Sequence, residues 1–357
     1  MAKHEGAGAK TSAGNFFEDF HVGQELRHAT PRTVTTGDAA LYTALYGSRF
    51  VLTSSDDFAR ALGLDGAPID DWLVFHVVFG KTVPDISLNA VANLGYAGGR
   101  FGLPVYPGDT LEARSTVIGL KENSNRKTGV VYVHTTGANQ RGETVLDYVR
   151  WVMVNKRDAA APAPETVVPT LPSAVAAGDL IVPPDLDLRG YDTALAGGAA
   201  LFEDYAKGER IDHVDGMTIE EAEHALATRL YQNSARVHFN QHTEAKGRFG
   251  RRLIYGGHVI SLARALSFNG LANAFHVAAL NAGSHVAPVF AGDTIYAWSE
   301  VLETLALPRH NDLGALRLRT VAIKNQSCAD FPYRDAAGAY HPAVMLDLDY
   351  TVLIKRR

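Results

Sequence analysis

Pro104-Val105-Tyr106-Pro107-Gly108-Asp109-Thr110-Leu111 is written again, with small changes, as Pro288-Val289-Phe290-Ala291-Gly292-Asp293-Thr294-Ile295, 184 positions later. Working outward, Phe17-Glu18-Asp19-Phe20, Gly23 and Leu26 return as Phe202-Glu203-Asp204-Tyr205, Gly208 and Ile211 at an offset of 185. At that same offset Thr33-Val34 answers to Thr218-Ile219, Leu41 to Leu226, and Leu45-Tyr46 to Leu230-Tyr231. Near the ends of the halves, Asn139-Gln140 pairs with Asn325-Gln326 and Leu146-Asp147 with Leu346-Asp347. Solenoid repeats have periods of about 20–50 residues, so a period this long makes each copy a whole domain. The chain is one fold written twice.

The composition agrees. A chain of 357 residues suits two domains, each able to bury its own core. A net charge of −5 gives no general attraction to nucleic acid or to an anionic membrane, so neither is expected as a partner. Cys328 stands alone, which excludes an intrachain disulfide and fits a reducing cytoplasm. The first fifteen residues hold Lys3, Lys10 and small residues but no apolar core, so no secretory signal is expected. The longest apolar run, Trp72 to Phe79, is interrupted by His76 and is too short to span a bilayer.

Between residues 158 and 200 lie six of the fifteen prolines. Such a stretch resists helix and central strand, and it divides a first domain (1–157) from a second (201–357). It reads either as a disordered tether or as a linker lying along the surface, anchored by Val167, Val168, Leu180 and Ile181. Each half then has the same order. A polar opening leads to an alanine-rich helix (37–46; 222–231) and a strongly apolar helix (71–81; 256–268). Long strands rich in Val, Thr and Tyr follow (109–120, 129–138 and 143–155; 293–305, 315–326 and 344–355). In the second apolar helix Val259, Leu262, Ala263 and Leu266 mark one buried face. The order predicts an α+β fold in which an antiparallel sheet wraps around a central helix, twice over.

One frame of polar residues carries the chemistry. In the second half it reads Gln232-Asn233-Ser234-Ala235-Arg236-Val237-His238-Phe239-Asn240, with Phe249 and then Tyr255-Gly256 opening the apolar helix. In the first half Gly47-Ser48-Arg49-Phe50-Val51-Leu52-Thr53-Ser54-Ser55-Asp56-Asp57-Phe58-Ala59 fits the same frame. These stretches resemble the signature of the hotdog-fold enoyl-CoA hydratases related to MaoC: G-D-x-N-P-x-H-x-D, then F-A, then a Phe, then P-I-x-H-G at the helix start. His238 falls on the family His, Asn233 on its Asp and Asn240 on its second Asp, while Tyr255 replaces the His of the helix-opening motif. In the first half Ser48 and Thr53 stand where the family has Asp and His. The resemblance implies a double hotdog with one active half and one degenerate half. It further implies a lyase that hydrates an α,β-unsaturated acyl-CoA, active as a homo-oligomer, with no cofactor because coenzyme A enters as part of the substrate.

Hydrating such a thioester needs a base to take a proton from water and donors to hold the enolate oxygen. His238 has the ionisation range of a base near neutral pH. The N–H groups of Gly256 and Gly257, at the positive start of a buried helix, are natural oxyanion donors, and glycine lets the thioester approach closely. Asn233 can orient water but cannot accept its proton, so a carboxylate from outside the frame (Glu244, Asp38 or Asp70) is a candidate replacement. Asn240, Tyr255, Arg236, Arg251 and Arg252 are the expected substrate-binding residues.

Blander readings stand beside these. A lone histidine is more often surface or satisfied core than catalytic. His238, His242 and Glu244 do not form an HExxH helix, so no metal is expected. Gly95, Gly98, Gly99 and Gly102 lack dinucleotide-binding spacing. Arg236, Lys246, Arg248, Arg251 and Arg252 form either a solvated basic face or a site for coenzyme A phosphates or a substrate carboxylate. Asp70 and Asp71 read as N-terminal helix caps. Two rival classes are a hotdog thioesterase, which needs an acidic residue near the central helix, and a non-catalytic acyl-CoA-binding protein.

Overall fold

The structure, a computed structural model, describes residues 10–357. Residues 1–9, on which part of the signal-sequence reading rests, lie outside the described residues. The first half opens with β1 (Glu25–Arg27), β2 (Arg32–Thr33), α1 (Thr36–Tyr46), α2 (Val51–Ser54), α3 (Asp56–Ala61) and α4 (Asp71–Thr82). Strands β3 (Ala90–Phe101), β4 (Thr110–Glu122), β5 (Thr128–Ala138) and β6 (Thr144–Asn155) follow. A linker bearing α5 (Thr193–Ala196) leads to β7 (Arg210–Thr218), α6 (Glu221–Leu230), α7 (Arg236–Phe239), α8 (Gln241–Glu244), α9 (Gly256–Leu266) and α10 (Phe268–Leu271). The second half closes with β8 (His276–His285), β9 (Thr294–Ala306), β10 (Leu313–Lys324) and β11 (Val344–Lys355).

Local chemistry explains the boundaries. Thr35 and Asp38 form a capping box that starts α1, and Gly47, at φ 61°, ends it in the left-handed region. Every residue of α4 from Trp72 to Thr82 is buried, as a helix enclosed by a sheet requires. Helix α9 stops at Leu266, two residues short of the sequence-based expectation; Ser267 Oγ donates back to the Arg264 carbonyl at 2.7 Å.

The described strands form one antiparallel sheet in the order β1-β4-β5-β6-β3-β8-β11-β10-β9-β7, with β2 added on β4. The order is the same from either end once each strand is replaced by its repeat partner. The two half-sheets therefore meet at β3 and β8, where Tyr96 pairs with Gly283 and Arg100 with Ala279. A pseudo-twofold axis runs through this seam and between α4 and α9. Two hydrogen bonds mark it: Tyr46 OH to Tyr231 OH at 2.6 Å, and His76 Nε2 to Ser261 Oγ at 2.8 Å. Both pairs are 185 residues apart, the repeat offset itself, so each residue meets its own counterpart.

The seam strands β3 and β8 are absent from the sequence-based expectation, and β1, β2 and β7 were given no bounds in it; the six long strands β4–β6 and β9–β11 and the four principal helices lie within two residues of it. Linker residues are laid across both halves. Val167 pairs with Leu120, Val175 N–H donates to Asn281 Oδ1 at 2.9 Å, and Leu188 is buried in an apolar cluster with Phe58 and Phe275. No helix among the described residues is long and apolar enough to cross a membrane.

Candidate active site

Where the halves meet, a cavity of about 370 Å3 opens with walls from both. Phe79 from α4, Asn93 and Tyr96 from β3 and Arg150 from β6 face Asn233, His238, Tyr255 and Gly256 of the second half, and His285 from β8. Among the described residues, the lining includes no Asp or Glu.

His238 sits on α7, a single turn held by Leu253 N–H to the Val237 carbonyl at 2.9 Å. The His238 Nδ1–H donates to the Leu253 carbonyl at 2.9 Å, which fixes the tautomer and leaves Nε2 with a free lone pair. Burial pushes its ionisation down to about 4, below the near-neutral range expected from the sequence and offset only in part by that hydrogen bond, so the ring is neutral at pH 7 but a weaker base than a free imidazole. Asn233 is buried, and its Oδ1 accepts from Ala235 N–H at 3.1 Å; the amide Nδ2 is its uncommitted group.

The two central helices begin differently. Asp70 caps α4 by accepting from Trp72 N–H at 2.9 Å. Its counterpart before α9 is Tyr255, and among the described residues no side chain caps that helix. The first N–H groups of α9 therefore keep the positive helix end uncapped: Gly256 lines the cavity, whereas Gly257, expected beside it to bind substrate, is buried and outside the lining. Tyr255 is held by its own N–H donating to His224 Nε2 at 2.9 Å, and its hydroxyl lies 3.4 Å from His76 Nδ1. Both glycines are close approaches. A Cβ on Gly256 would lie 2.3 Å from His285 Cε1, and one on Gly257 would lie 2.4 Å from Tyr255 Cε1. Gly256→Ala should push the His285 ring into the cavity and lower kcat/KM by about 10²-fold, with a smaller loss of thermal stability. Turnover and melting temperature measured together check this, and near-normal turnover contradicts it.

Not every expected residue reaches the cavity. Asn240 caps α8 by accepting from Thr243 N–H at 3.1 Å. Arg236 donates to Asn89 Oδ1 at 3.2 Å, Arg251 to the Ala291 carbonyl at 2.6 Å, and Arg252 to Glu221 at 2.6 Å. None of these four is in the lining; of the basic cluster only Arg248 is, beside Phe249. The three candidate carboxylates are also elsewhere. Asp38 serves the α1 capping box, Asp70 caps α4, and Glu244 lies on α8 outside the lining. Asp71 accepts from Val277 N–H at 2.7 Å and pairs with His276 at 3.1 Å.

Arg150, Asn93, Tyr96 and His285 were not anticipated from the sequence. His285 Nε2 meets Tyr96 OH at 3.1 Å, and burial, with His238 nearby, pushes its ionisation down to about 4. In the first half Thr53 Oγ1 donates to the Phe50 carbonyl at 3.2 Å. Val51, Leu52 and Phe58 there pack under the linker's Leu188.

Burial keeps several histidines neutral: His224 down to about 2, His258 to about 3, and His213, His238 and His285 to about 4. In the unfolded chain each binds a proton near pH 6.5. Their stabilising contribution is thus complete above pH 6.5 and is lost as pH falls towards 4, by about 1.4 kcal/mol per pH unit for each. Melts at pH 7.5 and 5.5 should differ by on the order of 10 °C, the more acidic being lower; superimposable melts contradict this.

An antiparallel sheet wrapped twice around a central helix, with a histidine beside an uncapped helix start, defines the double-hotdog, MaoC-like dehydratase class. A solved putative MaoC domain protein dehydratase from Chloroflexus aurantiacus shares the fold at a TM-score of 0.96 and 68% identity, covering 98% of this chain and 99% of that one. A conserved hypothetical protein from Mycobacterium tuberculosis with a double hotdog fold matches at a TM-score of 0.77 and 27% identity, over 96% and 99% of the two chains. The chain belongs to the mesaconyl-CoA hydratase family, whose model matches residues 6–333. A β-methylmalyl-CoA dehydratase of Chloroflexus aurantiacus is 68% identical, over 98% of this chain and 99% of that protein. A mesaconyl-CoA hydratase of Cereibacter sphaeroides is 61% identical, over 97% and 100%.

Proposed function

We propose that this chain reversibly adds water to mesaconyl-CoA to give β-methylmalyl-CoA, at the cavity that holds His238 and the start of α9 between its halves. The observation that carries the site assignment is His238, whose Nδ1–H is committed to Leu253 while a neutral Nε2 is left free in a cavity that also holds the start of α9. Nε2 takes a proton from water as the hydroxyl adds to C3, and electron density moves to the thioester oxygen. The Gly256 and Gly257 N–H groups stabilise that enolate. The imidazolium then returns a proton to C2, so one water is consumed and His238 is restored. A ring whose ionisation lies near 4 gives up that proton readily. Asn233 Nδ2 orients the water. Arg248 and Phe249 at the cavity rim receive the coenzyme A phosphates and adenine.

A thioesterase reading finds no support in the geometry, because Asp70 and Asp71 are committed to backbone N–H groups and neither lines the cavity. The test is an assay that follows enoyl-thioester absorbance and free thiol together. Loss of absorbance without thiol release supports hydration; thiol release supports the thioesterase, and neither change supports a binding protein. With His238 neutral down to about pH 4, kcat/KM should be flat between about pH 6 and 8. An acid limb centred near 6.5 contradicts this assignment of the base. The proposal also places the enzyme in a reducing cytoplasm, where buried Cys328 has no partner in the chain, and as a homo-oligomer, which light scattering checks.

A further inference from the structure

We propose that Arg150, with Asn93, forms the subsite that receives the free carboxylate of a dicarboxylic acyl-CoA. This rests on the cavity being the acyl site. Arg150 projects from β6 into the cavity and is fully buried. Its partners are all neutral. Nη2 donates to Thr82 Oγ1 at 2.7 Å and to Ser87 Oγ at 3.4 Å, Nη1 reaches Asn93 Oδ1 at 3.5 Å, and the guanidinium lies 4.3 Å from the Phe79 ring centroid. Among the described residues Nε has no partner, and neither does Asn93 Nδ2. A buried guanidinium with no anion is costly, and burial pushes its ionisation below the usual range. Among the described residues no Asp or Glu lines the cavity, so a carboxylate on the ligand is the anion this guanidinium is placed to receive.

The repeat shows that the fold itself does not require arginine here. Leu146-Asp147 answers to Leu346-Asp347, so Arg150 answers to Tyr350, a neutral residue whose hydroxyl accepts from Thr320 Oγ1 at 3.1 Å. Arginine appears only in the copy of this position that faces the cavity. The chemistry fits a 2-enoyl thioester whose C3 bears a carboxylate, as mesaconyl-CoA does. A fork of N–H donors would hold that carboxylate one bond from the carbon that water attacks.

The test compares mesaconyl-CoA with crotonyl-CoA, which has a methyl group in place of the carboxylate. Arg150→Gln should lower the ratio of their kcat/KM values by about 10²- to 10³-fold, with Arg150→Lys recovering part of it. An unchanged ratio, with both substrates weakened alike, overturns the proposal and leaves Arg150 a structural residue. Should the variants not fold, the unaltered enzyme decides the matter by calorimetry. Succinyl-CoA should bind about 10²-fold more tightly than butyryl-CoA, and equal affinities overturn the proposal. If the unaltered enzyme hydrates neither thioester, the hydratase reading fails, while the calorimetric comparison still judges the subsite.

Discussion

His238→Ala should lower kcat for hydration by about 10²- to 10⁴-fold, the usual contribution of a positioned general base. The fold should survive, because His238 sits on a four-residue helix at the cavity edge and is only half-buried. The alanine variant also frees the Leu253 carbonyl, which now accepts the Nδ1–H at 2.9 Å; the bond is part-buried, so its loss costs on the order of 1 kcal/mol. His238→Asn separates the two roles, since its amide nitrogen can still donate to Leu253 but nothing replaces the Nε2 lone pair. Both variants should lose turnover alike, and asparagine should melt closer to the unaltered protein. A folded His238→Asn enzyme with near-normal kcat would remove His238 from the mechanism.

Separating the halves should abolish activity altogether. A fragment of residues 201–357 retains His238 and Gly256 but loses Phe79, Asn93, Tyr96 and Arg150, one wall of the cavity. It also bares β8, whose edge is paired with β3 in the whole chain, and the face of α9 packed on α4. An unpaired apolar edge invites aggregation. The fragment should be poorly soluble and inactive, and co-expression with residues 1–200 should restore turnover. A soluble fragment with normal turnover contradicts the shared-site account.

Much of this was legible in the chain because duplication makes every element appear twice. The 184–185 offset located the halves, and the frame around His238 pointed to a residue that lines one cavity with Gly256 at the start of α9. The seam was harder to see. In β3, Gly95 lies against Trp151 and Gly99 against Leu280, where a Cβ would sit 2.3 and 2.9 Å from those side chains. Close packing thus selected small residues and erased the β-branched alternation by which strands are recognised. Asn240 and Arg252 were misplaced because a sequence frame orders positions without aiming side chains; one is a helix cap and the other is paired with Glu221. Arg150 left a readable trace. It shares the inward phase of β6 with Tyr148, Val152 and Val154, all buried, and a charge in an apolar phase marks a site with a partner to receive.

We propose one composite site per chain, built from both halves and served by His238 alone. Calorimetric titration with a non-reactive, saturated acyl-CoA analogue measures it directly. One site per chain is expected, lost when Arg248 and Arg150 are both replaced and retained in His238→Asn. Two equivalent sites per chain would contradict it, because the degenerate half, with Thr53 committed to Phe50 and Asp70 capping α4, would then be binding substrate as well.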